Sequence, residues 1–160
     1  MSGNANRIAR VVAVAALAAV VAGPWTSVAH AQPTPCPGAS CDVIVTVTGT
    51  PAAPVVAVSA NELKMARGQR NVVVTWKLQA PDYEFRADSI TAHTAPPSGG
   101  KLTTTSEGWR DQCTTLNHTA TTYRIRNRNT KAGPLFYNVK VFHKATGTPV
   151  VLDPAIINDP

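Results

Sequence analysis

Hydrophobic and polar residues alternate with a period of two along much of this chain, most cleanly at residues 71–79. There Val72, Val74, Trp76 and Leu78 fall on one face, and Val73, Thr75 and Lys77 on the other. That is the pattern of a strand with one side in a core and the other increasingly wet. Trp76 is the largest apolar group of the run, so other strands are expected to cover it. The same period recurs at 42–48, where Val43, Val45 and Val47 oppose Ile44, Thr46 and Thr48. At 83–86 it sets Tyr83 and Phe85 against Glu84 and Arg86. A β-branched run at 55–59, the pair Leu63 and Met65, Ile90, and residues 150–152 give weaker strand signals. Gly49-Thr50-Pro51, Arg67-Gly68-Gln69, Ala80-Pro81-Asp82 and Thr146-Gly147-Thr148 punctuate them as turns.

The last third adds two longer runs. Residues 121–127 place Tyr123 and Ile125 on one face; residues 135–142 place Leu135, Tyr137, Val139 and Val141 on one face and Phe136, Asn138, Lys140 and Phe142 on the other. The connection at 129–134 contains Gly133 and suits a hairpin. Keeping both apolar sets on one side would set Tyr123 opposite Val139 and Ile125 opposite Tyr137. Pro96-Pro97-Ser98-Gly99-Gly100 marks a loop, and the polar, Thr-rich stretch after it, to Asn117, reads as a weak strand plus a long surface loop around Trp109. The count is seven or eight short strands with no amphipathic helix, and 13 prolines argue against long helices. These features predict an all-β fold, an immunoglobulin-like β-sandwich, with another small β-barrel as the alternative.

The N-terminus changes the picture of where this domain works. Arg7 and Arg10 precede an unbroken apolar run of 12 residues at 11–22, Gly23-Pro24 breaks it, and Ala29-His30-Ala31 offers a small-x-small cleavage pattern. The run is short for a membrane anchor. Residues 1–31 are therefore expected to be a cleaved signal peptide, 32–40 a Pro-rich mobile lead-in, and 41–160 a single domain. The mature chain has 160 − 31 = 129 residues and a formal charge of 13 − 9 = +4. That bias favours solubility and weak attraction to anionic surfaces, and falls short of a dedicated nucleic-acid binder. Cys36, Cys41 and Cys113 all lie in the exported part, where one disulfide is expected and one thiol left over. Cys36 and Cys41 would close a local ring. A bridge from either to Cys113 would stabilise by more, about 2–4 kcal/mol, and is the favoured pairing.

The order of Gly68-Gln69, Val74-Thr75-Trp76-Lys77-Leu78, Tyr83-Glu84-Phe85, a Tyr–Val hairpin and a closing Asp153-Pro154-Ala155-Ile156-Ile157-Asn158 resembles small exported bacterial proteins of unassigned function. The resemblance covers most of the mature domain. It implies a Gram-negative envelope or secreted setting and a sandwich fold. Its motifs are fold motifs, so it implies no activity.

Candidate chemistry is sparse. Cys113 and His118 carry the thiolate and imidazole that a blue-copper site needs, with a spacing similar to that in cupredoxins. His93 would be the second imidazole. No Met follows to serve as the axial ligand, and two strands follow the motif where that family has about one. His93, His118 and His143 lack paired spacing for zinc and read as isolated surface imidazoles. There is no Gly-x-Ser-x-Gly elbow, and Asp82, Glu84 and Asp88 read as solvated carboxylates. Arg124, Arg126 and Arg128 stand out more. The hairpin register would place them beside Phe136, Lys140 and Phe142 in one strip of guanidinium and aromatic groups.

These observations predict a non-enzymatic, periplasmic or secreted β-sandwich without cofactor or bound metal. Its expected partner is an anionic envelope component or another protein, met through that strip, with no nucleic acid and no membrane anchor after cleavage. The alternative is a periplasmic copper or small-ligand carrier using Cys113 and His118.

Overall fold

A computed structural model describes residues 33–50, 52–92 and 106–160. The expected signal peptide, His93 and the loop expected at residues 96–100 lie outside the described residues.

Twelve strands and one short helix follow in order: β1 (Thr34–Cys36), β2 (Ser40–Thr50), β3 (Ala53–Val58), β4 (Glu62–Met65), β5 (Val72–Leu78), β6 (Tyr83–Glu84), β7 (Ile90–Ala92), α1 (Ser106–Gln112), β8 (Cys113–His118), β9 (Thr122–Asn127), β10 (Gly133–His143), β11 (Pro149–Leu152) and β12 (Ala155–Asn158). The protein is thus all-β in character, with more and shorter strands than the alternation predicts. The excess comes from two- to four-residue strands such as β1, β6 and β7, too short to show a period.

The strands form two sheets. One has five strands in the order β3-β2-β5-β9-β8. The other has seven: β1-β4-β12-β10-β11, with β6 and β7 also pairing β10. β5 is the centre of the first sheet, antiparallel to β9 and parallel to β2. β10 is the spine of the second. β12 pairs Phe136 with Ala155, and β11 pairs Val139 with Leu152. Both pairs sum to the same register, so β11 and β12 are one strand along β10, interrupted at Asp153-Pro154. A proline lacks the N–H that the ladder needs.

Inward positions of the two sheets meet in one core. Val43, Val45, Val72, Val74, Trp76, Tyr123 and Ile125 come from the five-stranded sheet, and Leu63, Met65, Tyr137, Val139, Val141 and Ile156 from the seven-stranded one; all are at most 1% exposed. Trp76 meets Tyr137 edge to face at 5.4 Å between ring centroids, and Trp109 stacks on Tyr137 at 5.5 Å. The faces assigned to β2, β4, β5, β9 and β10 by alternation are those the core uses.

Four expectations are corrected. First, β9 and β10 do not form a hairpin. β9 lies between β5 and β8, setting Tyr123 across from Trp76 and His118, while β10 belongs to the other sheet. The 128–132 connection crosses from one sheet to the other, with Asn129 at φ 48°. Second, the disulfide joins Cys36 to Cys41, and Cys113 is a buried free thiol. Third, the lead-in is partly structured: β1 adds to β4 in parallel, pairing Thr34 with Leu63 and Cys36 with Met65. Fourth, the stretch around Trp109 contains α1. Trp109 and Gln112 face inward at the i, i+3 spacing of one helix face, and Cys113, where β8 begins, is also buried, while Arg110 and Asp111 are exposed.

Candidate functional site

Alternation along β9 turns Tyr123, Ile125 and Asn127 inward and Thr122, Arg124 and Arg126 outward. On the outer face of the five-stranded sheet Arg124 sits between Thr75 of β5 and Asn117 of β8, and Arg126 between Val73 and Thr114. Arg124 is half-buried and Arg126 exposed. Neither forms an ion pair among the described residues. The nearby carboxylate on this face, Asp42 of β2, is across from Thr75 and takes Lys77 Nζ at 2.5 Å. Arg128, just past the strand, is exposed. Lys131, bonded at 2.7 Å, holds the Asp111 carboxyl below its ordinary range, and Arg128 adds to the pull.

Phe136, Lys140 and Phe142 do not join this surface. They lie on the outer face of the seven-stranded sheet, so the expected continuous strip does not exist. The physical reason is the sheet crossing after β9: matching inward faces constrain which way each strand points, and leave open which strands pair. Lys140 Nζ lies 3.4 Å from Asp88. The Arg86 guanidinium covers the Phe142 ring at 4.6 Å, and Arg86 Nε bonds Glu84 at 2.8 Å. Phe142 is therefore 8% exposed despite pointing outward. Phe136 is half-buried opposite Ala155. The rings that made this face look open for a partner are largely covered from within the chain.

The copper pair is also taken apart. Cys113 and His118 occupy opposite ends of β8, across from Asn127 and Tyr123 respectively. An extended strand advances about 3.3 Å per residue, so the two side chains cannot share an ion. Burial pushes the Cys113 thiol up to about 12, which keeps it protonated. His118 is exposed and stacks on Tyr123 at 5.6 Å. Among the described residues no three His, Cys, Asp or Glu side chains gather closely enough to hold a metal. His143 is not an isolated surface group: it is half-buried and meets Tyr83 edge to face.

The alternation did not reveal a buried polar cluster at one end of the sheets. Asn127 Nδ2 donates to Asn158 Oδ1 at 2.7 Å, and Asn127 Oδ1 accepts from the Asn129 N–H at 3.0 Å. Asn129 Nδ2 donates to the Gln69 carbonyl at 2.9 Å, while Gln69 Nε2 reaches the Cys36 and Gly38 carbonyls. Gln112 Oε1 accepts from the Thr130 N–H at 2.8 Å. These side chains tie β9, β12, α1 and the disulfide ring together around the crossing. The partners named are all other parts of the chain, so the cluster fixes geometry, although the buried Asn129 Oδ1 has no hydrogen-bond partner among the described residues. The weak signal for it was Asn127 at an inward position.

Among the described residues no helix is long and apolar enough to cross a membrane. The disulfide is compatible with an extracellular or periplasmic protein. Compared with known proteins, the chain matches no family model and no curated protein.

Proposed function

We propose that this is a non-enzymatic binding or structural component of a bacterial envelope: an exported, immunoglobulin-like β-sandwich that meets an anionic partner through the outer face of its five-stranded sheet. The observation that carries this reading is the pair Arg124 and Arg126, two guanidinium groups on alternate positions of β9 with no carboxylate partner among the described residues. On the other sheet, by contrast, Lys140 and Arg86 have their own carboxylates. Arginines without a carboxylate partner, among Thr, Asn and Val neighbours, suit paired hydrogen bonds to phosphate, sulfate or carboxylate groups. Their spacing, about 6.6 Å along the strand, fits successive anionic groups of a polymer or lipid surface. The signal-like N-terminus and the disulfide support an exported setting.

The test is the double substitution Arg124→Ser, Arg126→Ser, assayed for association with isolated envelope fractions across a salt series. Removing two charge-assisted hydrogen-bonding groups should weaken association by roughly tenfold or more at low salt, and flatten its salt dependence. Lys140→Ser, on the opposite sheet, should leave it unchanged. Unaltered association of the double variant at every salt concentration removes the basic face as the contact surface.

A further inference from the structure

Inward positions of β10 run Leu135, Tyr137, Val139, Val141 and then His143, so the apolar series ends on an imidazole. Register places Tyr83 of β6 directly across from His143, and Val150 of β11 across from Val141. Tyr83, His143 and Val150 therefore share the inner side of the seven-stranded sheet where the core runs out. Facing them are Ala52 and Pro54 from the β2–β3 hairpin. Between the two lies a groove of about 260 Å³, completed by Thr146 and Thr148.

The groove's chemistry is specific. Its walls are mainly apolar, and among the described residues none that lines it is an ammonium, guanidinium or carboxylate. Two cations close by in sequence have partners of their own: Lys144 Nζ bonds the Pro81 carbonyl at 2.5 Å, and Arg86, beside Gly147, bonds Glu84 through Nε at 2.8 Å and covers the Phe142 ring. The Tyr83 and His143 rings stand edge to face, 5.2 Å apart and inclined by 85°. Thr146 Oγ1 gives its proton to Thr148 Oγ1 at 3.0 Å and lies 3.4 Å from His143 Nδ1. The threonine hydroxyls thus meet the ring on its Nδ1 side and leave Nε2 without a contact. Neither Nε2 nor the Tyr83 hydroxyl has a partner among the described residues. A groove with aromatic walls and an unpartnered ring nitrogen suits a ring that carries a hydroxyl.

We propose that this groove, between Tyr83, His143 and the β2–β3 hairpin, binds a small neutral aromatic alcohol of the phenol class. The ring packs among Pro54, Val150 and the two aromatic side chains, and its hydroxyl donates to His143 Nε2.

The probe is 4-methylphenol, titrated into isotope-labelled protein and followed by NMR. Saturable shifts are expected at Ala52, Tyr83, His143, Thr148 and Val150, with a Kd of about 1 mM for a ligand of this size. Without a hydroxyl proton, 4-methylanisole should bind at least about fivefold more weakly. His143→Phe should bring 4-methylphenol down to the level of the anisole. Ala52→Trp, at an exposed hairpin position, should fill the groove and abolish the shifts, and it decides the matter if the His143 variant fails to fold. Absence of saturable shifts at about 10 mM probe, shifts that survive Ala52→Trp, or equal binding of 4-methylanisole or methyl glucoside would each overturn the proposal.

Discussion

Replacing Cys36 and Cys41 together by Ser opens a ring whose ends are five residues apart in sequence. Cys36 closes β1 in the seven-stranded sheet and Cys41 lies at the start of β2 in the five-stranded one, so the bond also links the two sheets at that end. For so short a ring, the entropy withheld from the unfolded chain is worth about 2 kcal/mol. A bridge from Cys41 to Cys113 would enclose 113 − 41 = 72 residues and be worth about 4.5 kcal/mol on the same scale. The ring's backbone is also held by Gln69 Nε2, bonded to the Cys36 carbonyl at 3.0 Å and the Gly38 carbonyl at 3.2 Å, so the native arrangement should persist without the disulfide. Urea unfolding followed by tryptophan fluorescence should therefore show a loss of about 2 kcal/mol with an unchanged slope. The unsubstituted protein under reducing conditions should lose about as much. Alkylation adds a second reading. Cys113 is buried, with its thiol raised to about 12, so it should label only after denaturant is added. A loss of about 4 kcal/mol or more, a disulfide-linked peptide containing Cys113, or rapid labelling of Cys113 in the native protein would refute the local pairing.

Two further substitutions test the core. Tyr137 is fully buried, and its hydroxyl, next to the Trp76 indole, makes no hydrogen bond of normal geometry among the described residues, so Tyr137→Phe should change stability by no more than about 1 kcal/mol in either direction. Tyr123→Phe removes a hydroxyl that donates to the Ala87 carbonyl at 2.9 Å, and should cost about 1 kcal/mol in the same urea assay. For Cys113, the folded thiol titrates well above the unfolded one, so the unfolded chain gives up its proton first as pH rises. Stability is then complete below about pH 8.5 and declines above it. Between pH 9 and 10 the protein should lose about 1 kcal/mol more than Cys113→Ala, read as the difference in urea midpoints across that interval.

Strand direction and facing were legible because side chains alternate strictly: Val43, Val45, Val74, Trp76, Ile125 and Val139 are all buried on the predicted faces. Pairing was not legible, since the period of a strand says nothing about its neighbour. The connection with Asn129 at φ 48° and Gly133 at φ 121° serves a crossing as well as it would a hairpin. The outward direction of Arg124 and Arg126 followed from the same alternation, and they remain on one face. Phe142 also points outward, but its cover comes from Arg86, 56 positions earlier (142 − 86), and no local pattern encodes that. The helix around Trp109 was not legible, because it spans only Ser106–Gln112 and Trp109 is its one large apolar residue, within a Thr-rich stretch. Buried Asn127 and Asn158 escaped because asparagine elsewhere in the chain marks turns.

The parallel pairing of β4 with β12 sets an order on assembly. Glu62 meets Ala155, a separation of 155 − 62 = 93 residues, and closing so long a segment costs about 4 kcal/mol on a logarithmic scale. Before that strand arrives, β4 has only the three-residue β1 beside it, and Leu63 lacks its neighbour Ile156. A chain still leaving a ribosome could pair every strand of the five-stranded sheet once residue 127 is out, whereas the other sheet, and the core the two share, would be completed only by residues 155–158.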